Sequence, residues 1–361
     1  MTVLEMRADE KGQKPLHARP HQISLRQDTL ESLKDLGAYN EVIDKSGWAT
    51  KEQHVKVDGD KRLVEEKTPK AEAGPRDGMF IHPGMLDNDS VSLVRISDVE
   101  KALYKQAKEM GVEVKAGYIG ELRKEGRSYG VRAEKVRVEN GQPVKLGESE
   151  DLGVPDLVVP ADGAGSPTRA ALGVEVIEES EPRHYLGGHI QKGIGATTTK
   201  VEMKESPGFT RHVMGTGHAK YDQTWVSVEV TPEEAALPAE KRKELLAKKA
   251  QVVFPETKIG VDDVGWGAGQ LTTVQNRRAA TNTVGDNVAF VGDTGGTGSV
   301  WVGGGLNLAL TTHLRALEKL VDSSRQSNRS TETNLKIYNK TIEWATKRWH
   351  KAGAEQLGPK K

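Results

Sequence analysis

The sequence predicts an α/β protein in which a parallel sheet carries an inserted, mostly β layer and is followed by a C-terminal helix. Two observations predict this class. Outside residues 51–90 and 176–276, strand-like segments alternate with helical segments, which is typical of a parallel sheet. Within those two stretches, strand-like runs are broken by glycine and proline, and helical periodicity is weak over most of their length. We therefore expect the two stretches to form the inserted layer.

Composition excludes several classes of protein. The 361 residues can bury a large core, and the formal net charge of zero argues against a nucleic-acid binder or an anionic-membrane binder. No apolar run is long enough to span a bilayer, so no membrane partner is expected. The absence of cysteine excludes disulfides and thiolate chemistry, and the ten histidines lack metal-ligand spacing. Without a signal-peptide pattern at the start, we expect a cytoplasmic protein.

The N-terminal elements follow from periodicity and caps. Residues 2–5 form the end of a strand with an acid, Glu5, at its carboxyl edge. Leucines at helical spacing after Asp28 and Thr29 predict a helix that Gly37 closes. A second helix is predicted over residues 99–110, closed by a glycine.

Further along, turn signals and apolar spacing predict four more elements. Residues 117–148 alternate between turn signals and are typical of an antiparallel meander. Residues 156–162 are strand-like and lead into an Asp-Gly loop. Residues 234–253 and 331–350 have helical patterns.

A glycine-rich stretch near the C-terminus is the strongest local signal. Residues 287–291 are mostly apolar and predict a buried strand, and residues 306–321 carry apolar positions at helical spacing. Six of the eleven residues from 295 to 305 between them are glycine. Glycine allows close approach of the backbone, and a helix N-terminus offers free N–H donors, so this arrangement suits an anion or a polar cofactor. The alternative is a bulged loop that only packs against another element.

Three motifs occur together in a characteristic order. They are the strand-terminal Glu5, the segment 156–169 with Asp162-Gly163, and the segment 292–307 that begins with Gly292-Asp293. In this order and spacing they resemble the FAD-dependent aromatic hydroxylases, the family of para-hydroxybenzoate hydroxylase. The resemblance extends over most of the chain and implies a Rossmann-like, FAD/NAD(P)-binding parallel sheet.

The resemblance also implies roles for individual residues. Glu5 would bind the adenosine ribose, with Arg19 and Arg95 near the cofactor, and Asp293 would accept hydrogen bonds from the flavin's ribityl chain. The loop beside the cofactor, which influences nicotinamide nucleotide use in the family, would contain Asp162, Gly163, Ser166 and Arg169. The turn and helix start that face the flavin's pyrimidine edge would be formed by Gly303, Gly304, Gly305, Leu306 and Asn307, where the helix dipole would stabilise the reduced flavin.

The sequence departs from the family pattern at two places. Residues 294–296 read Thr-Gly-Gly where the family usually has Ala-Ala-His, and Trp301 replaces a proline-lined wall, either stacking on a ligand or packing in the core. No glycine fingerprint with its strand and helix precedes Glu5. Either the sheet closes differently, or it borrows a strand from another chain, or the start of the sequence is truncated or reassigned; we expect the last.

The implied domains are discontinuous. A FAD-binding domain would comprise residues 1–50, 91–175 and 277–325, a substrate-binding domain residues 51–90 and 176–276, and a C-terminal helix and tail residues 326–361. The implied function is hydroxylation or epoxidation of a small aromatic or polyketide-like molecule with FAD, NAD(P)H and O₂. Two alternatives stay open: a hydroxylase-like scaffold without redox activity, which binds a ligand or guides a cyclisation, and a flavin-dependent reductase. The sequence nominates no catalytic base and leaves the oligomeric state open.

Overall fold

The computed structural model has the mixed α/β architecture that the sequence predicts. It describes residues 1–6, 22–43, 47–48, 51–67, 90–139, 142–192, 194, 197–207, 209–218, 223–265, 270–298, 304–326 and 331–357. The described strands are β1 (Thr2–Glu5), β2 (Gln22–Arg26), β3 (Gly47–Trp48), β4 (Lys51–Asp58), β5 (Lys61–Lys67), β6 (Ser90–Arg95), β7 (Glu113–Ala116), β8 (Tyr118–Glu125), β9 (Ser128–Glu139), β10 (Gln142–Asp151), β11 (Val176–Glu178), β12 (Arg183–Ile190), β13 (Thr197–Ser206), β14 (Phe209–His218), β15 (Gln223–Val230), β16 (Gln270–Val274), β17 (Arg277–Ala279), β18 (Thr283–Val284), β19 (Val288–Ala289) and β20 (Gly296–Thr297).

Nine α-helical segments lie within the described part of the chain. They are α1 (Gln27–Asp35), α2 (Tyr39–Ile43), α3 (Ile96–Glu109), α4 (Pro167–Ala171), α5 (Pro232–Ala235), α6 (Ala239–Ala250), α7 (Gly304–Leu308), α8 (Leu314–Gln326) and α9 (Thr331–Leu357). A π-helical turn, Ala309–His313, joins α7 to α8 without a break. None of these helices combines the length and apolarity that a membrane span requires.

The largest layer is a seven-stranded sheet. Its strand order is β16-β12-β15-β14-β13-β4-β5, and only the β13–β4 pair is parallel. One face packs on α6, where Leu186, Val226 and Val228 form a core with Leu246 and Ala250. Every strand of this sheet comes from residues 51–67 or 183–274, so the chain contains the mostly β layer that was predicted.

The opposite face of this sheet is also buried, but it is polar. Leu186 and Val228 face α6, and because side chains alternate across a strand, their neighbours Tyr185 and Glu229 point away from it. The imidazole of His212 lies 2.6 Å from the carboxylate of Glu229, and both side chains are buried. His189 and Trp225 meet edge to face on the same side. The sheet therefore presents aromatic and ionisable groups, shielded from solvent, on the side away from its apolar core.

Two further parallel pairings among the described residues lie outside this sheet. Strands β1 and β7 pair in parallel, and a single parallel bridge joins Val158 to Val288. The predicted strand over residues 156–162 is thus not a regular strand. It still follows the segment 287–291, since Val158 N–H donates to Asn287 and Ala289 N–H donates to Val158. Pro160 has no N–H to continue the ladder, although its carbonyl accepts from Val291, so regular pairing stops there.

Other elements match the predictions with shifted ends. Strands β8, β9 and β10 form the expected antiparallel meander. The predicted helix over 234–253 is divided into α5 and α6 at Pro238. Helix α1 begins one residue before Asp28, with Arg26 rather than Asp28 or Thr29 at its N-cap, and Gly37 follows it in the left-handed conformation, φ +73°.

Candidate functional site

The Asp-Gly loop and the Gly-Asp turn meet at one edge of the fold. Val158 and Val288 pair in parallel, so the two segments run in the same direction and their loops emerge together. The 3₁₀ turn Gly292–Thr294 follows directly after the second segment. The side chain of Thr294 joins the loops: its hydroxyl lies 3.1 Å from Asp162 Oδ1 and accepts from Gly163 N–H at 3.0 Å.

Asp162 organises the first loop. Its carboxylate accepts the hydroxyl of Ser166 at 2.5 Å and the backbone N–H of Thr168 at 2.9 Å, and Ser166 in turn caps α4. Burial opposes ionisation, but the hydrogen bonds from Ser166 and Thr168 outweigh it and hold the pKa of Asp162 below its usual value. The carboxylate is therefore charged at neutral pH and is committed to the loop's own geometry.

Arg169 completes the connection between the loops. Its buried guanidinium donates to the carbonyl of Thr294 and to that of Ala164, both at 2.7 Å. Burial lowers the pKa of Arg169, while the charge of Asp162 raises it. We call Asp162, Ser166, Arg169 and Thr294 the loop clamp. It holds the two predicted motifs in one rigid arrangement.

Several glycines of these loops border open space. A Cβ built at Gly163, Gly165 or Gly292 would meet no atom within 4 Å. Gly163 and Gly292 also have positive φ, +87° and +57°, which other residues rarely adopt. The bare backbone of the clamped loops is thus accessible to a molecule lying beside it.

Asp293 lies where the turn meets the helix 304–326. Its side chain is exposed, and a Cβ added at Gly305 would lie 3.7 Å from Asp293 Oδ1. The helix begins at Gly304, so the N–H groups of its first turn, which have no partner within the helix, and its partial positive charge lie next to this carboxylate. The edge therefore offers a hydrogen-bond acceptor and a set of donors side by side.

Asn307 and Leu306 have packing contacts that the sequence did not indicate. Asn307 is 1% exposed, and its Oδ1 accepts from the hydroxyl of Thr29 at 2.6 Å and from Arg26 N–H at 3.2 Å. Leu306 packs against the core around α1. These two side chains attach the helix start to α1, so a cofactor at this end of the helix would meet its backbone rather than the Asn307 carboxamide oxygen.

The remaining predicted residues lie apart from the clamp or outside the described residues. Glu5 ends β1, and its carbonyl accepts from Gly117 N–H at 2.8 Å. Arg95 ends β6 and donates to the side chain of Gln223, the first residue of β15, at 3.0 Å. It thus connects to the seven-stranded sheet. Arg19 and Gly303 lie outside the described residues, as does Trp301.

Three residues that the sequence analysis did not assign to the site contact its loops. Trp349 of α9 packs on Gly298 and Gly305. His350 Nε2 lies 2.6 Å from the carbonyl of Thr297, and its Nδ1 lies 2.7 Å from Glu179. His313, in the π turn, accepts the backbone N–H of Gly292. For Trp349 and His350, the one signal was the helical spacing of residues 331–350, which predicts a helix but not what it packs against. His313 lies in the helix predicted over residues 306–321, and that pattern gave no sign of its contact with Gly292.

The described residues contain no cluster of three or more histidine or acidic side chains that could hold a metal ion. The fold and the edge define an α/β protein in which clamped loops with exposed backbone lie beside a helix start. The family described as "FAD binding domain" matches residues 9–341. The chain belongs to this family, which confirms the predicted family and places it among the flavoprotein monooxygenases. No curated protein matches the chain.

Solved structures share its fold at low sequence identity. The tetrameric form of 2-methyl-3-hydroxypyridine-5-carboxylic acid oxygenase is 14% identical, with a TM-score of 0.69 over 99% of this chain and 84% of that one. PqsL of P. aeruginosa in complex with 2-aminobenzoylacetate is 18% identical, with a TM-score of 0.69 over 98% and 87%. The p-nitrophenol 4-monooxygenase PnpA from Pseudomonas putida DLL-E4 is 13% identical, with a TM-score of 0.68 over 99% and 84%. These similarities confirm the predicted fold.

Proposed function

We propose that this protein is a FAD-dependent monooxygenase that hydroxylates or epoxidises a small aromatic or polyketide-like molecule, with NAD(P)H as reductant and O₂ as co-substrate. The observation that carries the proposal is the loop clamp. It joins the Asp-Gly and Gly-Asp motifs of the family beside glycines that border open space. Membership of the FAD binding domain family supports FAD as the cofactor. The reaction catalysed with it is the part that we propose.

The residues at the edge fit an extended, hydroxyl-bearing anionic cofactor. The exposed carboxylate of Asp293 suits hydroxyl donors such as those of a ribityl chain. The N–H groups at Gly304 and Gly305 suit a carbonyl oxygen or a developing negative charge. Glu5 suits the two hydroxyls of a ribose. When bound, FAD would supply hydride acceptance and oxygen activation, and the chain's own residues would orient it and exclude water.

The substrate would lie against the polar face of the seven-stranded sheet. Tyr185, His212 and Glu229 are buried on that face. Burial, together with the charge of Glu229, raises the pKa of Tyr185. Tyr185 therefore stays a neutral phenol, able to donate a hydrogen bond. The hydrogen bond between Arg95 and Gln223 connects this sheet to β6, which belongs to the proposed FAD-binding domain. These features support the proposal that residues 51–90 and 176–276 form the substrate-binding domain. We likewise propose that the FAD-binding domain and the C-terminal helix and tail have the ranges given in the sequence analysis.

The first test is cofactor binding by the full chain. We expect purified protein to take up FAD, quench its fluorescence and oxidise NADPH or NADH in air. Asp293→Ala should weaken FAD binding about tenfold or more, because hydrogen bonds to a charged group are worth about 1.5–3 kcal/mol. Asp322→Ala, which removes an exposed acid of α8, is the matched control and should bind as the unaltered protein does.

The outcomes separate the candidate functions. Protein that takes up no FAD contradicts the proposal. FAD uptake without oxidation of NADPH or NADH would favour the scaffold without redox activity. Oxidation of the reductant together with reduction of a substrate double bond, and no oxygen incorporation from ¹⁸O₂, would favour a flavin-dependent reductase. Oxygen incorporation into the product supports the monooxygenase.

A further inference from the structure

His313 occupies an unusual place beside the Gly-Asp turn. It is 2% exposed and ends the π-helical turn Ala309–His313 within the helix that begins at Gly304. Its Nδ1 lies 2.8 Å from the backbone nitrogen of Gly292. A histidine inside a helix thus reaches the residue that precedes Asp293, the carboxylate proposed to bind the cofactor.

The π turn has a local cause. The hydroxyl of Thr311 donates to the carbonyl of Asn307 at 2.7 Å and so competes with the helix for that acceptor. The N–H of Leu314 bonds to the carbonyl of Ala309, five residues back, which inserts an extra residue into the turn. Each added residue rotates the following positions around the helix axis. The rotation therefore contributes to which side chain faces Gly292.

The geometry determines the tautomer of His313. A backbone N–H can only donate, so Nδ1 must offer its lone pair and the ring proton must lie on Nε2. An imidazolium would bring an Nδ1–H against the Gly292 N–H and lose this bond. Burial agrees with the geometry, because it lowers the pKa of His313 to about 4. The ring is neutral at physiological pH.

We propose that His313 is a positioning residue for the cofactor: by accepting the Gly292 N–H it holds the left-handed turn that aims the Asp293 carboxylate beside the start of the helix. Gly292 has φ +57°, and a Cβ built there would meet no described atom within 4 Å. The 3₁₀ turn that contains Asp293 begins at this residue. Without the acceptor, the turn would lose the contact that ties it to the helix bearing Gly305. The inference rests on the proposed binding of FAD at this edge.

The test compares two polar replacements of His313. In His313→Asn, the amide oxygen can occupy the position of Nδ1 and keep the acceptor. In His313→Gln, the amide reaches the position of Nε2 and the acceptor at Gly292 is lost. Both variants remove the imidazole, so both should lower the melting temperature of the FAD-free protein to a similar extent. A difference between the FAD dissociation constants of the two variants then reports the loss of the Gly292 hydrogen bond rather than the general loss of packing.

We expect His313→Gln to bind FAD about tenfold more weakly than the unaltered protein, equivalent to about 1.4 kcal/mol, and His313→Asn to remain within about threefold. The visible circular dichroism of bound FAD should change only in the Gln variant. Equal dissociation constants for the two variants, or constants that simply follow the melting temperatures, would overturn the inference while leaving the proposed function standing. If the unaltered protein binds no FAD, the proposed function fails and the inference fails with it.

Discussion

The glycines on the two sides of the Gly292–Asp293 turn lie in opposite surroundings. On one side, a Cβ at Gly163, Gly165 or Gly292 would meet nothing within 4 Å. On the other side, a Cβ at Gly296 would lie 2.7 Å from Thr346 Cγ2, and one at Gly298 would lie 2.8 Å from Trp349 Cε2. The first group leaves room for a molecule outside the chain, and the second leaves room for helix α9.

This difference changes the meaning of the glycine-rich loop. Read alone, a run of glycines after a strand indicates backbone exposed to a cofactor. Residues 296–298 instead form an internal contact, in which Thr346, Trp349 and His350 cover the loop. Of the two alternatives that the sequence left open, the packed loop therefore describes residues 295–298, while the open glycines lie just before this loop, at Gly292, and in the Asp-Gly loop. The C-terminal helix belongs to the support of the site.

The packed side should give the largest stability effect. Gly298→Ala places a methyl group against the buried indole of Trp349, and overpacking of this kind should lower the free energy of unfolding by about 3 kcal/mol. Urea denaturation of the FAD-free protein measures the change. In a Trp349→Leu background the same substitution should cost about 1 kcal/mol or less, because the smaller side chain leaves room. An equal cost in both backgrounds would show that the indole is not what requires glycine here.

The pH dependence of stability tests the buried, neutral state of His313, which accepts the N–H of Gly292. The folded pKa of His313, about 4, lies below the ordinary value of 6.5 because the ring is buried. As the pH falls below about 6.5, this histidine binds a proton in the unfolded chain but not in the folded chain. The contribution of His313 to the free energy of unfolding is therefore lost. Between about pH 7.5 and about pH 5 the loss should be about 2 kcal/mol. His313→Asn carries no such proton. The difference in unfolding free energy between the two proteins should therefore shrink on acidification, and a constant difference would contradict the buried neutral ring.

The clamp should give a smaller effect. Thr294→Val keeps the shape of a completely buried side chain but removes the hydroxyl that joins Asp162 to Gly163 N–H. The N–H of Gly163 then loses its acceptor, and we expect a cost of about 1–2 kcal/mol in urea denaturation. Thr294→Ser keeps the hydroxyl and is the matched control for the polar contact. If serine and valine cost the same, the loss comes from packing of the methyl group and not from the hydrogen bonds.

The elements of the fold could largely be predicted, and the contacts of the site only in part. Apolar spacing identified the helix over residues 306–321, and alternation between turn signals identified the meander over 117–148, because local sequence determines such elements. The same pattern could not show that Trp349 covers Gly298, since the two residues are far apart in sequence. Asn307 illustrates the other limit. Its type and spacing match a cofactor motif, but its Oδ1 accepts from Thr29 and Arg26, and only the tertiary structure brings these groups together.

A substitution on the open side should change the free energy of unfolding least and should act mainly on FAD binding. Gly165 borders open space without a positive φ, so Gly165→Ala should change the free energy of unfolding by less than about 0.5 kcal/mol. If the cofactor fills that space, the added methyl group should weaken FAD binding about tenfold, as measured by fluorescence titration. Gly260→Ala, where a Cβ would make only an ordinary 3.6 Å contact with Asp263, is the matched control and should leave both quantities unchanged. Unaltered FAD affinity in Gly165→Ala would mean that the cofactor lies elsewhere along the clamped loops. The open glycines at 163 and 165 would then be required only for the backbone conformation of the Asp-Gly loop.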